Sequence, residues 1–184
     1  PAVEEHLERL RRRGARIVDA DQIARHLVEP GQPALAEIVR AFGKEVLRPD
    51  GSLDRKRLAG LIFRDEKQRH CLNAIVHPRV FEEQARIIAR IANEDPDAMV
   101  IIDAALLIEV GLNKNVEKLI VVYVPLRLQI ERLMLRDRLS EAEALMRIRS
   151  QMPLEEKAKI ADFVVDNSGS PENTGGNISE IKAQ

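Results

Sequence analysis

The sequence predicts an α/β fold in which short parallel strands alternate with longer helical segments. Two observations carry that expectation. Short apolar runs recur along the chain, at Ile17-Val18, Met99-Val100-Ile101-Ile102, Leu119 to Val124 and Phe163-Val164-Val165, and unbroken apolar runs are what strands covered on both faces of a parallel sheet look like. Between them lie stretches with apolar residues on the 3.6-residue period, and these are long enough to make the right-handed crossovers that parallel strands require.

The elements follow in order. Val3, Leu7 and Leu10 recur at intervals of four and three, giving an amphipathic helix over Ala2 to Arg13 that ends at Arg11-Arg12-Arg13-Gly14. Ile17 and Val18 form the first strand. From Asp21 to Asn93 the pattern is helical, with apolar stripes in Leu35 to Phe42, Leu58 to Phe63, Leu72 to Val76 and Val80 to Ile91. Pro30-Gly31, Pro49-Asp50-Gly51 and His77-Pro78 are expected to interrupt those helices, because proline removes a donor and restricts its predecessor while glycine supplies conformations other residues avoid. Met99 to Ile102 is the second strand and ends in Asp103, and Leu119 to Val124 is the third. Leu126 to Leu135 and Glu141 to Ile148 read as helices, and Phe163 to Val165 is the last strand. The Gly-, Asn- and Ser-rich stretch after Ser168 reads as a frayed terminus, and its Thr-Gly-Gly-Asn piece lacks the Lys and hydroxyl of a phosphate loop.

Size and charge narrow the function classes. A chain of 184 residues, 45% hydrophobic, can bury a sizeable core and fits one domain with a helical insert. With 29 Lys plus Arg against 30 Asp plus Glu, there is no electrostatic case for a nucleic-acid or membrane partner. The single cysteine, Cys71, cannot form an internal disulfide, which agrees with a reducing cytoplasm. It is expected to be a small buried hydrophobe. No apolar run approaches the ~20 residues needed to cross a bilayer and no signal peptide precedes the first helix, so a soluble cytoplasmic chain is expected. The four histidines are dispersed and Cys71 has no partner at a zinc spacing, so no metal-ligand cluster is expected.

The most informative segment is Asp19-Ala20-Asp21, where an apolar strand delivers two carboxylates to the start of a helix. A carboxylate at the carboxyl end of a parallel strand faces the crevice where open α/β sheets bind ligands, and there it can accept a hydroxyl proton or orient Mg²⁺. A plain Asp helix cap is the competing reading. Arg132, Arg136 and Arg138, at spacings of four and two, suit phosphate oxygens because guanidinium is a planar fork of donors that keeps its charge; a solvated helix face is the competing reading. His77-Pro78-Arg79 either begins a helix beside a ligand or is a turn, since imidazole can bond a phosphate or cap a backbone.

The chain resembles dephospho-CoA kinases from about Leu7 to Gly169. The residues that carry the resemblance are the Asp19-Ala20-Asp21 segment, FGKEVLRPDGSLDRKRLAGLIF (Phe42 to Phe63), LNAIVHPRV (Leu72 to Val80), DAALLIEVGL (Asp103 to Leu112) and RLMLRDRLSEAEALMRIRSQMPLEEKAKIADFVVDNSGS (Arg132 to Ser170). It implies a P-loop kinase-like, three-layer parallel sheet in one kinase domain, with a core of residues 1–27 and 95–170, a helical CoA-binding insert at about 28–94 and a lid at about 126–158. The G-x-x-x-x-G-K-[ST] loop of that family is absent from these residues, and Pro1 lies about where it would end. The chain is therefore expected to lack the first strand and phosphate loop through truncation, and to be poorly active as it stands.

The resemblance also implies roles: ATP-dependent phosphorylation of the ribose 3′-hydroxyl of dephospho-CoA, with Mg²⁺. Asp21 matches the catalytic carboxylate and Arg136 the lid arginine. Asp19, His77, Arg79, Asp103, Glu109 and Arg138 fall on the substrate side, although Arg138 stands where the family often has glycine. Asp103 and Glu109 match the family's D-x-P-L-L-F-E, with Ala105 replacing its Pro and Ile108 its Phe. Asn167, Ser168 and Gly169 match the loop that lies against adenine, with Arg147 and Gln151 as further lid members on the nucleotide side; for Asn-Ser-Gly a plain turn is the competing reading. A non-catalytic CoA-binding or interaction module descended from such a kinase is the alternative function.

Overall fold

The computed structural model describes residues 2–62 and 65–169. The tail beyond Gly169 with its Thr-Gly-Gly-Asn piece, Phe63 at the end of one expected stripe, and Pro1 lie outside the described residues. In chain order the elements are α1 (Ala2–Arg12), β1 (Arg16–Asp19), α2 (Ala20–His26), α3 (Pro33–Phe42), α4 (Arg55–Ile62), α5 (Glu66–Glu94), β2 (Val100–Asp103), β3 (Ile120–Tyr123), α6 (Leu126–Asp137), α7 (Glu141–Arg149), α8 (Leu154–Ile160) and β4 (Phe163–Asp166). They fall into two compact units, residues 13–104, and residues 1–12 with 105–184. Each holds one two-stranded parallel pair, so the expected α/β architecture with parallel strands is present.

In the unit of residues 13–104, β1 pairs with β2 from Arg16 opposite Val100 to Asp19 opposite Asp103. The Arg16 amide extends the ladder by donating to the Met99 carbonyl at 2.8 Å. The described residues between these strands are mostly helical, with one isolated bridge between Leu47 and Leu53, and they make the long crossover that parallel pairing demands. Pro33 sits in the first turn of α3, where its missing N–H costs nothing. Ala34, Leu35, Ile38 and Phe42 then form a stripe that buries against Val28, Val46, Leu53 and Leu58. The Pro49-Asp50-Gly51 turn separates α3 from α4 as expected. Asp50 Oδ1 accepts from the Ser52 amide at 2.9 Å and its hydroxyl at 2.6 Å, and Gly51 takes φ +80, which a side chain would resist. These bonds from Ser52 hold the Asp50 carboxyl below the usual carboxylate range.

His77-Pro78 does not interrupt a helix, contrary to the expectation from sequence. α5 runs unbroken for 29 residues with Pro78 inside it, and His77-Pro78-Arg79 lies mid-helix rather than at a helix start. The helix begins earlier, where Asp65 caps it by accepting from the Lys67 and Gln68 amides at 2.8 and 3.3 Å. Proline within a helix removes one hydrogen bond and crowds the preceding turn. The lost bond is the one to the Ala74 carbonyl; beside it, Arg79 Nη1 donates to the Ile75 carbonyl at 2.6 Å. Its Nη2 pairs with Glu37 of α3 at 2.6 Å, so one guanidinium braces the proline-containing turn and ties α5 to α3. Cys71 is exposed, also against expectation, because Leu72, Ile75 and Val76 supply the face of α5 that packs on the α3–α4 core.

In the other unit, β3 pairs with β4 from Ile120 opposite Phe163 to Tyr123 opposite Asp166. Asp162 sets the register by accepting the Leu119 amide at 2.8 Å, a bond that holds its carboxyl low. α6 and α7 form a hairpin. Ser140 caps α7 in a reciprocal box with Glu143, which satisfies two otherwise unpaired amides. The sequence reading assigns no separate element to residues 150–162, yet α8 lies there. Its signals are short: Pro153 ahead of the helix, Glu155 and Glu156 in the first turn, Lys157 and Lys159 in the last. No helix among the described residues is long and apolar enough to cross a membrane.

The double duty of Arg79 generates a prediction. Arg79→Ala should lower unfolding free energy by roughly 0.5–2 kcal/mol, since it leaves a half-buried Glu37 without its partner and removes a side-chain donor from the Ile75 carbonyl. Denaturant unfolding reads this directly, and an unchanged midpoint would mean that the clasp contributes nothing to the fold.

Candidate functional site

The β1–α2 corner gathers the carboxylates. Val18, 2% exposed, anchors β1 in the core, and the next residue, Asp19, ends the strand and caps α2: its Oδ1 accepts the Gln22 amide at 2.9 Å. The capping reading is therefore correct for Asp19. Asp103 lies opposite it at the end of β2. Asp21 stands in the first turn of α2 and is exposed, where the helix dipole favours a negative charge. Three carboxylates thus belong to one short corner at the carboxyl ends of a parallel pair, the position where α/β sheets bind ligands.

The middle of α5 reaches the same corner. Val18 of β1 and Ile23 of α2 share a core cluster with Val80 and Ile91 of α5, and Val76 and Phe81 pack against it. The turn carrying His77 and Arg79 is thereby held beside the Asp19–Asp21 segment. The His77 ring lies 5.9 Å from Phe81, tilted by 43°. Burial pushes its pKa below the ordinary histidine value, so at neutral pH the imidazole is neutral and can accept as well as donate. Arg79 is engaged by Glu37 and Ile75 as described above.

The remaining expected residues lie in the other unit. Arg136 is exposed and donates through Nε and Nη2 to Asp137 at 2.8 and 3.0 Å. Arg147 of α7 donates to the same carboxylate, so Asp137 joins two arginines across the hairpin. Arg136 first, and Arg147 with it, hold the Asp137 carboxyl below its usual range. Arg138 closes α6 in the left-handed region at φ 55, ψ 45. It is the one non-glycine residue with positive φ among those described, in a conformation with which helices commonly end in glycine. Gln151 is exposed in the link between α7 and α8. After β4, the Asn167 amide donates to the Tyr123 carbonyl at 2.9 Å and Asn167 is buried. The Ser168 amide closes a turn on Asp166 Oδ1 at 2.8 Å.

Sequence reasoning missed Lys157. It is 6% exposed, its ammonium lies 2.7 Å from Glu109 Oε1, and it donates to the Ala105 carbonyl at 2.8 Å. The Met152 amide donates to the same Glu109 oxygen at 3.0 Å. The signal was present: Leu154, Lys157, Ala158 and Ala161 occupy one helical stripe, so a charge stands where the period calls for an apolar residue. Glu109, expected on the substrate side, is engaged by these two donors. Asp137 was likewise passed over in favour of its arginine neighbours.

Comparison with known proteins places these features in context. A family model described as dephospho-CoA kinase matches residues 6–173. The dephospho-CoA kinase of Anaeromyxobacter dehalogenans is 49% identical over 95% of this chain and 82% of its own length. That of Syntrophus aciditrophicus is 43% identical over 94% of this chain and 73% of its own. Among solved structures, a Thermus thermophilus crystal structure matches with a TM-score of 0.77 at 31% identity, covering 99% of this chain and 91% of that one. The dephospho-CoA kinase from Campylobacter jejuni matches with a TM-score of 0.67 at 28% identity, covering 99% and 92%.

The strained cap yields a test. A left-handed conformation costs an L-residue about 1–2 kcal/mol, and glycine's extra freedom when unfolded returns roughly half of that. Arg138→Gly should therefore raise unfolding free energy by about 0.5–1 kcal/mol, visible as a higher melting temperature. A lower one would show that the Arg138 side chain makes contacts worth more than its strain.

Proposed function

The chain belongs to the dephospho-CoA kinase family, and on that premise we propose that it transfers the terminal phosphoryl group of ATP to the ribose 3′-hydroxyl of dephospho-CoA, giving coenzyme A and ADP. The observation that carries the residue assignment is the β1–α2 corner, with Asp21 in the first turn of α2 and Asp19 opposite Asp103 at the strand ends. Asp21 is the base: as the 3′-oxygen bonds to the γ-phosphorus, its carboxylate takes the hydroxyl proton, and the bond from the γ-phosphorus to the bridging oxygen breaks to release ADP. Neutral His77 stands on the acceptor side together with Arg79 and Arg138, with Asp103 at the end of β2 and Glu109 in the loop after it.

On the donor side, Arg136 neutralises charge on the transferring group, with Arg147 and Gln151 completing the lid. Asn167, Ser168 and Gly169 offer backbone groups to the adenine edge. Mg²⁺ supplies charge neutralisation on the phosphate oxygens. The residues fit it, because Mg²⁺ is commonly held by one or two carboxylates plus substrate phosphates, and Asp19 and Asp103 form such a pair at adjacent strand ends. No cluster of three or more potential ligands occurs among the described residues, and this mode needs none.

The fold we assign is a single kinase domain with a three-layer parallel sheet, its core in residues 1–27 and 95–170, its helical insert at about 28–94 and its lid at about 126–158. The 184 residues contain no G-x-x-x-x-G-K-[ST] segment. By themselves they should hold dephospho-CoA and bind ATP weakly, since a triphosphate cradle draws on several charge-assisted bonds. A cytoplasmic location agrees with the lone, unpaired Cys71.

The test is steady-state kinetics of the full-length protein with Asp21→Asn and Arg136→Ala. Loss of a general base should lower kcat by about 10²–10⁴-fold. Loss of the lid arginine should lower it by on the order of 10³-fold, with dephospho-CoA binding nearly unchanged. Wild-type turnover in the Asp21 variant would remove the base, and wild-type turnover in the Arg136 variant would return that residue to a solvated helix face.

A further inference from the structure

We propose that Lys157 is a positioning residue for phosphoryl transfer, acting through Glu109 to hold the 105–109 loop and the Gln151-Met152 link in one alignment. The inference rests on the kinase reading above and adds to it a residue that neither the motifs nor the resemblance singled out. Two neighbouring segments and a third distant in sequence meet on one charge pair whose lysine is buried. Lys157 brings α8, Ala105 and Glu109 bring the loop that follows β2, and the Met152 amide brings the link between α7 and α8. Two of the three ammonium donors are engaged within that cluster.

Packing alone does not account for a charge at this position. Lys157 lies on the buried stripe of a seven-residue helix, where Leu or Met would fill the same space. Buried ion pairs are often matched or surpassed in stability by apolar residues of similar volume. What an apolar side chain cannot supply is direction: bonds from one ammonium to a chosen carboxylate oxygen and a chosen carbonyl fix the loop and the link relative to each other. Glu109 lies on the proposed acceptor side and Gln151 on the proposed donor side. In phosphoryl transfer, positioning supplies most of the catalysis, and a misplacement of about 1 Å can lower the rate by on the order of 10²-fold. A residue of this kind acts on kcat and leaves ground-state binding of either substrate nearly unchanged.

The experiment compares full-length wild type with Lys157→Met, which keeps the length of the side chain without its charge, and Lys157→Arg, which keeps the charge with different geometry. Each is assayed with ATP and dephospho-CoA below its melting transition, with the folded fraction read by circular dichroism. The expected result is a kcat reduced about 10–100-fold for Lys157→Met, with both KM values within about threefold of wild type, and an intermediate kcat for Lys157→Arg. Should Lys157→Met fail to fold, Lys157→Arg decides. A folded variant of either kind with wild-type kcat, a raised KM at unchanged kcat, or activity falling only with the folded fraction overturns the proposal. A wild type that does not phosphorylate dephospho-CoA overturns the kinase reading itself, whereas failure of the latch alone leaves the wild type active.

Discussion

The parallel pairing of β1 with β2 is the constraint on which the candidate site depends. Their register puts Asp19 opposite Asp103, and a slip of one residue would turn every side chain of the strand to the other face. That register is anchored from the core: Val18 is buried in a cluster with Ile23, Val80 and Ile91, and the Arg16 amide reaches back to Met99. Strands so far apart in sequence cannot pair without a long connection. The helical block from α2 to α5 is that connection, and the same block carries the proposed acceptor residues.

α5 illustrates how tertiary contacts override a local signal. Pro78 reads as a helix end because it lacks a donor and restricts its predecessor. The helix continues because Arg79 supplies the Ile75 carbonyl with a side-chain donor and pairs with Glu37, while Val76 and Val80 on either side of the proline are packed into core clusters. The pairing with Glu37 cannot be seen in a window around Pro78, since Glu37 lies far away in the sequence. Cys71 escaped for a related reason. A cysteine among apolar neighbours suggests burial, but only a helix with its phase known shows which face it occupies, and that phase is set by Leu72, Ile75 and Val76.

Other features were legible. The strands announced themselves as apolar runs, three of them ending in Asp, the Pro49-Asp50-Gly51 turn through its residue types, and the α6–α7 hairpin through periodicity on either side of Ser140. The three carboxylates of the β1–α2 corner could be named from order in the chain, but the cap formed by Asp19 and its register with Asp103 could not. Lys157 left a sign as a charge on an apolar stripe, but its meaning, like that of Asp137, lies in partners: Glu109 and Ala105 for the first, Arg147 across a turn for the second. Charged residues in a helix read as solvent-facing until a partner is placed beside them.

The central claim is that the β1–α2 corner receives the acceptor hydroxyl, with Asp21 as its base. A crystal structure of the full-length protein with dephospho-CoA bound tests this most directly. The account predicts the ribose 3′-oxygen within about 2.6–3.2 Å of an Asp21 carboxylate oxygen, the reach of a general base. A ribose bound away from the ends of β1 and β2, with its 3′-hydroxyl facing no carboxylate of Asp19, Asp21 or Asp103, would contradict it.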